Sequence, residues 1–253
     1  MANYVLGRGK LFFDPFIPGT KTKTGQRYFG NTTEFNLTLE SEKLDHFSSD
    51  SGIRTKDDST LLELNRTGSF TTDDITAENL ALFVLGDVST VTQASTPVTG
   101  EALGVMIPGR YYQLGASTSN PVGVRGVSAV TITPSSGSAV AGTDYTLDAD
   151  LGRIYIIGGV FDGVKTATAA YTPAANTRER VTTNASASVE GALTFISYNA
   201  KGVQKDWVFP YVTLTPSGEF GLKSDDWQAM SFDFEVGELT GVAAIYVDGR
   251  PAA

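Results

Sequence analysis

Hydrophobic residues recur mostly at every second position, and Gly, Pro, Asn and Asp interrupt the alternation. Period two is the pattern of strands that bury one face. The chain is therefore expected to be mainly β, with antiparallel strands joined by tight turns. Residues 4–13 read as a first strand, in which Gly7 and Gly9 mark a bulge or a close backbone approach. Residues 14–30, rich in Pro, Gly, Lys and Thr, read as a long loop or arm. Over residues 34–40, Phe35, Leu37 and Leu39 face one way, and Glu34, Asn36, Thr38 and Glu40 the other. That is a half-buried strand with an acidic outer face. Residues 60–72 repeat the pattern, with Leu62, Leu64 and Phe70 in phase and Glu63, Asn65, Thr67 and Ser69 opposite. Between the two runs, residues 49–59 hold Ser49, Asp50, Arg54, Lys56, Asp57 and Asp58 but only Ile53 as an apolar residue. This stretch reads as an exposed loop.

One helix stands out. Thr76 is a good N-cap, Glu78 suits the first turn, and Gly86 is a candidate stop. Between them Leu80, Ala81, Leu82, Phe83, Val84 and Leu85 are apolar nearly all round. Such a helix must be covered on every side, and a neighbouring subunit is a candidate source of that cover. Residues 100–183 are rich in Gly, Ser, Thr, Ala and Val, with short strands expected over 127–133, 144–147, 152–157 and 166–172. Alternation returns over 191–199, 206–215, 227–236 and 242–247.

Composition narrows the chemistry. The 253 residues include no cysteine, so disulfides and thiolate metal sites are excluded. With His46 as the single histidine, general-base and metal chemistry has little to draw on. The net charge of −9 disfavours tight, non-specific nucleic-acid binding. No opening segment has the charged and apolar pattern of a signal peptide, and none is expected. The pairs Asp57–Asp58, Asp73–Asp74 and Asp225–Asp226 are candidates for carboxylate catalysis, yet adjacent residues usually point apart and all three pairs sit by turns or element starts. Asp148, Asp150 and Gly152 start like a calcium loop but lack the downstream Glu, so a turn is expected. Trp207, Phe209 and Tyr211 alternate like a sugar platform or, more simply, like a core or interface strand face. No catalytic residue, metal or cofactor is expected.

The order of features then resembles a known family. Phe35-Asn36-Leu37-Thr38-Leu39 leads into Lys43-Leu44-Asp45-His46-Phe47-Ser48-Ser49 and Gly52-Ile53-Arg54-Thr55-Lys56-Asp57. A strand ending Thr67-Gly68-Ser69-Phe70 and the helix from Glu78 to Gly86 follow. Asp144-Tyr145-Thr146-Leu147, Gly152-Arg153-Ile154-Tyr155 and Phe209-Pro210-Tyr211-Val212-Thr213-Leu214 fit as well. This resembles the tail tube (major tail) proteins of long-tailed bacteriophages, most closely over residues 30–90.

The resemblance implies one tail-tube domain over residues 1–253, an antiparallel β-sandwich or barrel-like fold with a flanking helix. It leaves 100–183 as a β-rich elaboration facing outward, and the length of that stretch favours a non-contractile tail. It also implies no enzymatic activity. Hexameric rings would stack around a tape-measure protein, ended by terminator and distal tail proteins, and DNA would pass through the bore. The expected location is the virion tail, assembled in the host cytoplasm. Residues 46–59, with Phe47, Ser49, Ile53, Arg54, Lys56, Asp57 and Asp58, would join one ring to the next. Leu80, Leu82, Phe83, Val84 and Leu85 would meet a neighbouring subunit. Glu34, Asn36, Thr38 and Glu40, or Glu63, Asn65 and Thr67, are candidates for the bore. The competing class is a β-sandwich binding module, such as a capsid decoration protein or a carbohydrate-binding adhesin. A carboxylate glycoside hydrolase is a third option.

Overall fold

The computed structural model describes residues 4–50, 52–163, 165–184 and 188–251. The chain divides into two compact units, residues 1–89 with 180–253 and residues 90–179. The second, inserted unit takes in most of the 100–183 stretch expected as a β-rich elaboration.

The first unit opens with β1 (Gly9–Pro15), β2 (Arg27–Tyr28), β3 (Thr32–Ser48), β4 (Thr55–Thr72), α1 (Ala77–Phe83) and the start of β5 (Gly86–Gln93). The inserted unit holds β6 (Val98–Met106), β7 (Tyr111–Gln113), β8 (Val127–Pro134), β9 (Tyr145–Asp148), β10 (Arg153–Ile156) and β11 (Lys165–Pro173). The chain returns through β12 (Asn176–Thr183), which pairs with β5, to β13 (Val189–Ser197), β14 (Lys205–Ser217), β15 (Met230–Val236) and β16 (Tyr246–Gly249).

The fold is mainly β and antiparallel, as the alternation predicts. In the first unit one sheet runs β2-β1-β13-β14-β15-β4-β3, with β16 paired to the start of β14. Its apolar face carries Leu11, Phe13, Phe70, Leu193, Phe209, Leu214, Phe232 and Phe234, all nearly or wholly buried. Among the described residues none of the sheets closes into a barrel. The sheet does curl: Phe35 on edge strand β3 stacks on Phe195 of β13 at 5.4 Å and meets Phe209 of β14 at 5.9 Å. The inserted unit builds two three-stranded sheets, β6-β11-β8 and β7-β10-β9. Met106, Leu114, Ile132, Ile154, Ile156, Phe161 and Tyr171 form its core.

The helix starts as predicted, with Thr76 Oγ1 accepting from the Asn79 amide at 3.2 Å. It ends earlier than Gly86. Val84 is the C-cap, Leu85 turns left-handed at φ 51°, and Gly86 opens β5. Gly86 is required for another reason, since a Cβ there would strike the Thr182 carbonyl. The helix is also covered differently from the expectation. Leu80, Leu82 and Phe83 pack against this chain's own core, and Phe83 meets Phe232 edge-on at 5.9 Å. All five predicted helix contacts, Val84 and Leu85 included, are half-buried within one chain. Part of the cover that the sequence assigns to a neighbour thus comes from this chain's own core.

Residues 14–30 are not a free arm. Lys21 Nζ bonds Glu190 at 2.7 Å and sits 3.8 Å from the centre of the Tyr211 ring. The Gly25 amide donates to Asp14, and Arg27 donates to Asn79, each at 2.7 Å.

Candidate assembly surface

β3 and β4 form a hairpin longer than the sheet that carries it. β15 pairs only with Thr67–Thr72 of β4, so beyond Leu39 and Arg66 the hairpin is a two-stranded ribbon. The ten residues from Leu39 to Ser48 carry it about 30 Å outward at strand rise. The expected loop over 49–59 is thereby corrected. Phe47, Lys56, Asp57 and Asp58 lie in strands, and only residues 49–54, with Ser49, Ile53 and Arg54, connect them. Ser51 lies outside the described residues. Polar residues hold this part of the ladder where alternation of apolar ones is missing. Lys56 bonds Asp45 at 2.5 Å, Ser59 Oγ donates to Asp45 at 2.8 Å, and His46 Nδ1 lies 2.6 Å from Asp57. Hydrogen bonds from Lys56 and then Ser59 hold the Asp45 carboxyl below its ordinary range.

Register decides what each face of the hairpin presents. Thr38 lies opposite Thr67, Glu40 opposite Asn65, and Glu42 opposite Glu63. Directly opposed residues share a face, so the two polar sets found separately in the sequence form a single surface. The surface continues across the sheet. Glu235 and Asp233 lie beside Thr67 and Ser69, and Thr213 and Thr215 lie beside Glu235 and Asp233. From Thr213 and Thr215 of β14 to Thr38 and Glu40 of β3 this face is made of Thr, Ser, Asn, Asp and Glu, and at its border Tyr211 carries Lys21, which is paired with Glu190. It bears a shallow depression lined by Thr38, Thr67, Ser69, Thr213, Thr215 and Asp233.

The other face holds Phe35, Leu37 and Phe70 at the root, where the core covers it. Farther out, Leu39, Leu64 and Leu61 continue on this side opposite Arg66, Ser41 and Lys43, with Leu62 in the bulge beside Lys43. These leucines are largely exposed among the described residues: Leu39 is 58% exposed, Leu61 53%, Leu62 57% and Leu64 40%. A two-stranded hairpin with exposed leucines is marginal alone, which makes this side a candidate contact surface. The outer edge of β3 is also unpaired beyond its root, among the described residues.

The remaining candidates separate. Trp207 and Phe209 stack at 6.5 Å on the apolar side. A register shift near Pro210, which has no amide proton to give the ladder, turns Tyr211 to the opposite face. There its hydroxyl donates to Glu190 at 2.7 Å, so no three-ring platform exists. Asp148 accepts from the Leu151 amide at 3.0 Å in the turn before β10. No group of side chains suited to a metal ion occurs among the described residues. Sequence reasoning missed Trp227 and Leu222, placed 96% and 81% exposed in the β14–β15 connection. The alternation over 227–236 predicts a strand from Trp227, whereas β15 starts at Met230, and the neighbouring Asp225 and Asp226 are the available signal that the loop continues there.

These features define a mainly β protein whose central sheet has one apolar and one acidic, hydroxyl-rich face and extends into a projecting ribbon. The chain belongs to the family described as "Protein of unknown function UCP028589", which it matches over residues 4–238. No curated protein matches it.

Proposed function

We propose that the chain is the tail tube subunit of a long-tailed bacteriophage with a non-contractile tail. Six copies close a ring, and rings stack into a hollow tube around a tape-measure protein. The bore conducts viral DNA. The observation that carries this reading is the continuous Thr, Ser, Asn, Asp and Glu face running from β14 to the hairpin. Lining a bore, its carboxylates would repel phosphates, and the one lysine at its border, Lys21, is paired with Glu190, so DNA could slide. The uncovered ribbon and the unpaired edge of β3 add reasons for the subunit to join copies of itself. In this reading the protein performs no reaction and needs no cofactor. Its partners are its own copies, the tape-measure protein, the terminator and distal tail proteins, and DNA in transit. It resides in the virion tail after assembly in the host cytoplasm. Electron microscopy of the purified protein at rising concentration tests this. Stacked rings of uniform bore are expected, and discrete particles at every concentration would overturn it.

A further inference from the structure

We propose that a groove on the curled sheet receives the hairpin tip of a second copy of this chain. The proposal rests on the assembly reading above and names the surface that the ribbon contacts. The groove, about 830 Å³, opens between Arg8, Gly9 and Lys10 on one side and the root of β3 on the other. Its floor is aromatic, formed by Phe35, Phe195, Trp207 and Phe209. Phe35, Phe195 and Trp207 remain half-exposed although they stack on one another or on Phe209. An apolar floor left half open to water favours an occupant with apolar side chains. The rim adds a charge preference, since Arg8 and Lys10 are exposed there and Glu34 is the one carboxylate lining it.

The hairpin tip has the matching chemistry. Phe47 and Ile53 are 39% and 76% exposed. Residues 45–58 hold Asp45, Asp50, Asp57 and Asp58 against Arg54 and Lys56. The tip cannot fill its own chain's groove, because that groove borders the root of the same ribbon, about 30 Å from the tip. It must enter another copy. Such a contact joins two different surfaces, so it closes a ring or propagates along an axis unless two copies exchange tips reciprocally.

The chain has no cysteine, so introduced thiols report alone. Ile53→Cys with Lys10→Cys places both thiols at exposed positions that do not affect the core. Oxidation of assembled protein should give a ladder of cross-linked multimers on a non-reducing gel, absent from each single variant. The bond forms only where Cα atoms come within roughly 7 Å. Tubes without such a ladder, or an equal ladder from Ile53→Cys with Trp227→Cys, would overturn the groove assignment and leave the assembly reading standing. Native protein that never assembles would overturn both. In a second arm, Arg8→Glu with Lys10→Glu should abolish stacking, and adding Asp57→Lys with Asp58→Lys should restore it. Tubes unaffected by the first pair would also overturn the assignment.

Discussion

Gly68 lies on the apolar side of β4, where a Cβ would meet the Phe234 ring and the Asn36 carbonyl. Gly68→Ala should therefore cost about 1–3 kcal/mol through overpacking, measured by urea unfolding. Removing bulk nearby should cost more. Phe232 is wholly buried among Phe29, Phe70 and Phe83, and Phe232→Ala should lose about 3–5 kcal/mol. The sequence marked Phe70 as core by its phase but showed Gly68 only as a break in alternation. A glycine's need is set by the strand across from it, which no single segment contains. Glu190 was illegible for the same reason. Hydrogen bonds from Lys21 first and Tyr211 second hold its carboxyl below the ordinary range. A depressed carboxylate stabilises the fold above its ordinary range, and that contribution is lost as pH falls through its folded-state value. Acidifying the protein should therefore shift the NMR signals of residues 17–24 in the acid range, and Glu190→Gln should remove that step.

At the scale of elements, α1 was legible because its cap and apolar run are local. Thr76→Ala should cost about 1 kcal/mol of stability, again by urea unfolding. Its cover was not legible, because the face it meets comes from β14 and β15, more than a hundred residues away. The β3–β4 hairpin shows the reverse. Its apolar roots were read correctly, but its outer half was read as loop because Lys56, Asp57, Asp58 and Ser59 show no apolar alternation. Cross-strand polar bonds maintain the ladder there, and a pattern read along one strand does not contain them. The ribbon's leucines separate folding from assembly. Changing Leu61, Leu62 and Leu64 together to Ser should alter subunit stability by under about 0.5 kcal/mol per site. If the stripe is buried on assembly, the concentration needed for polymerisation should rise roughly tenfold or more for each leucine lost. Sedimentation across a concentration series measures it.

For the whole molecule, the β class and most strands were visible in the alternation, whereas the division into two units was only partly so. The inserted unit showed its strands at β8 to β11, but β6 was hidden by Gly100 and Gly104, which adopt left-handed backbone within it. The unifying fact was also hidden. Two polar faces, found about thirty residues apart in sequence, form one surface only through the register of β3 on β4. That surface is the basis for the central claim, that the acidic, hydroxyl-rich face lines a tube through which DNA passes. A cryo-electron microscopy reconstruction of the assembled protein tests it most directly. The account predicts stacked rings with Glu40, Glu63, Asp233 and Glu235 turned toward the bore. A bore lined by lysine and arginine, with this face turned outward, would contradict it.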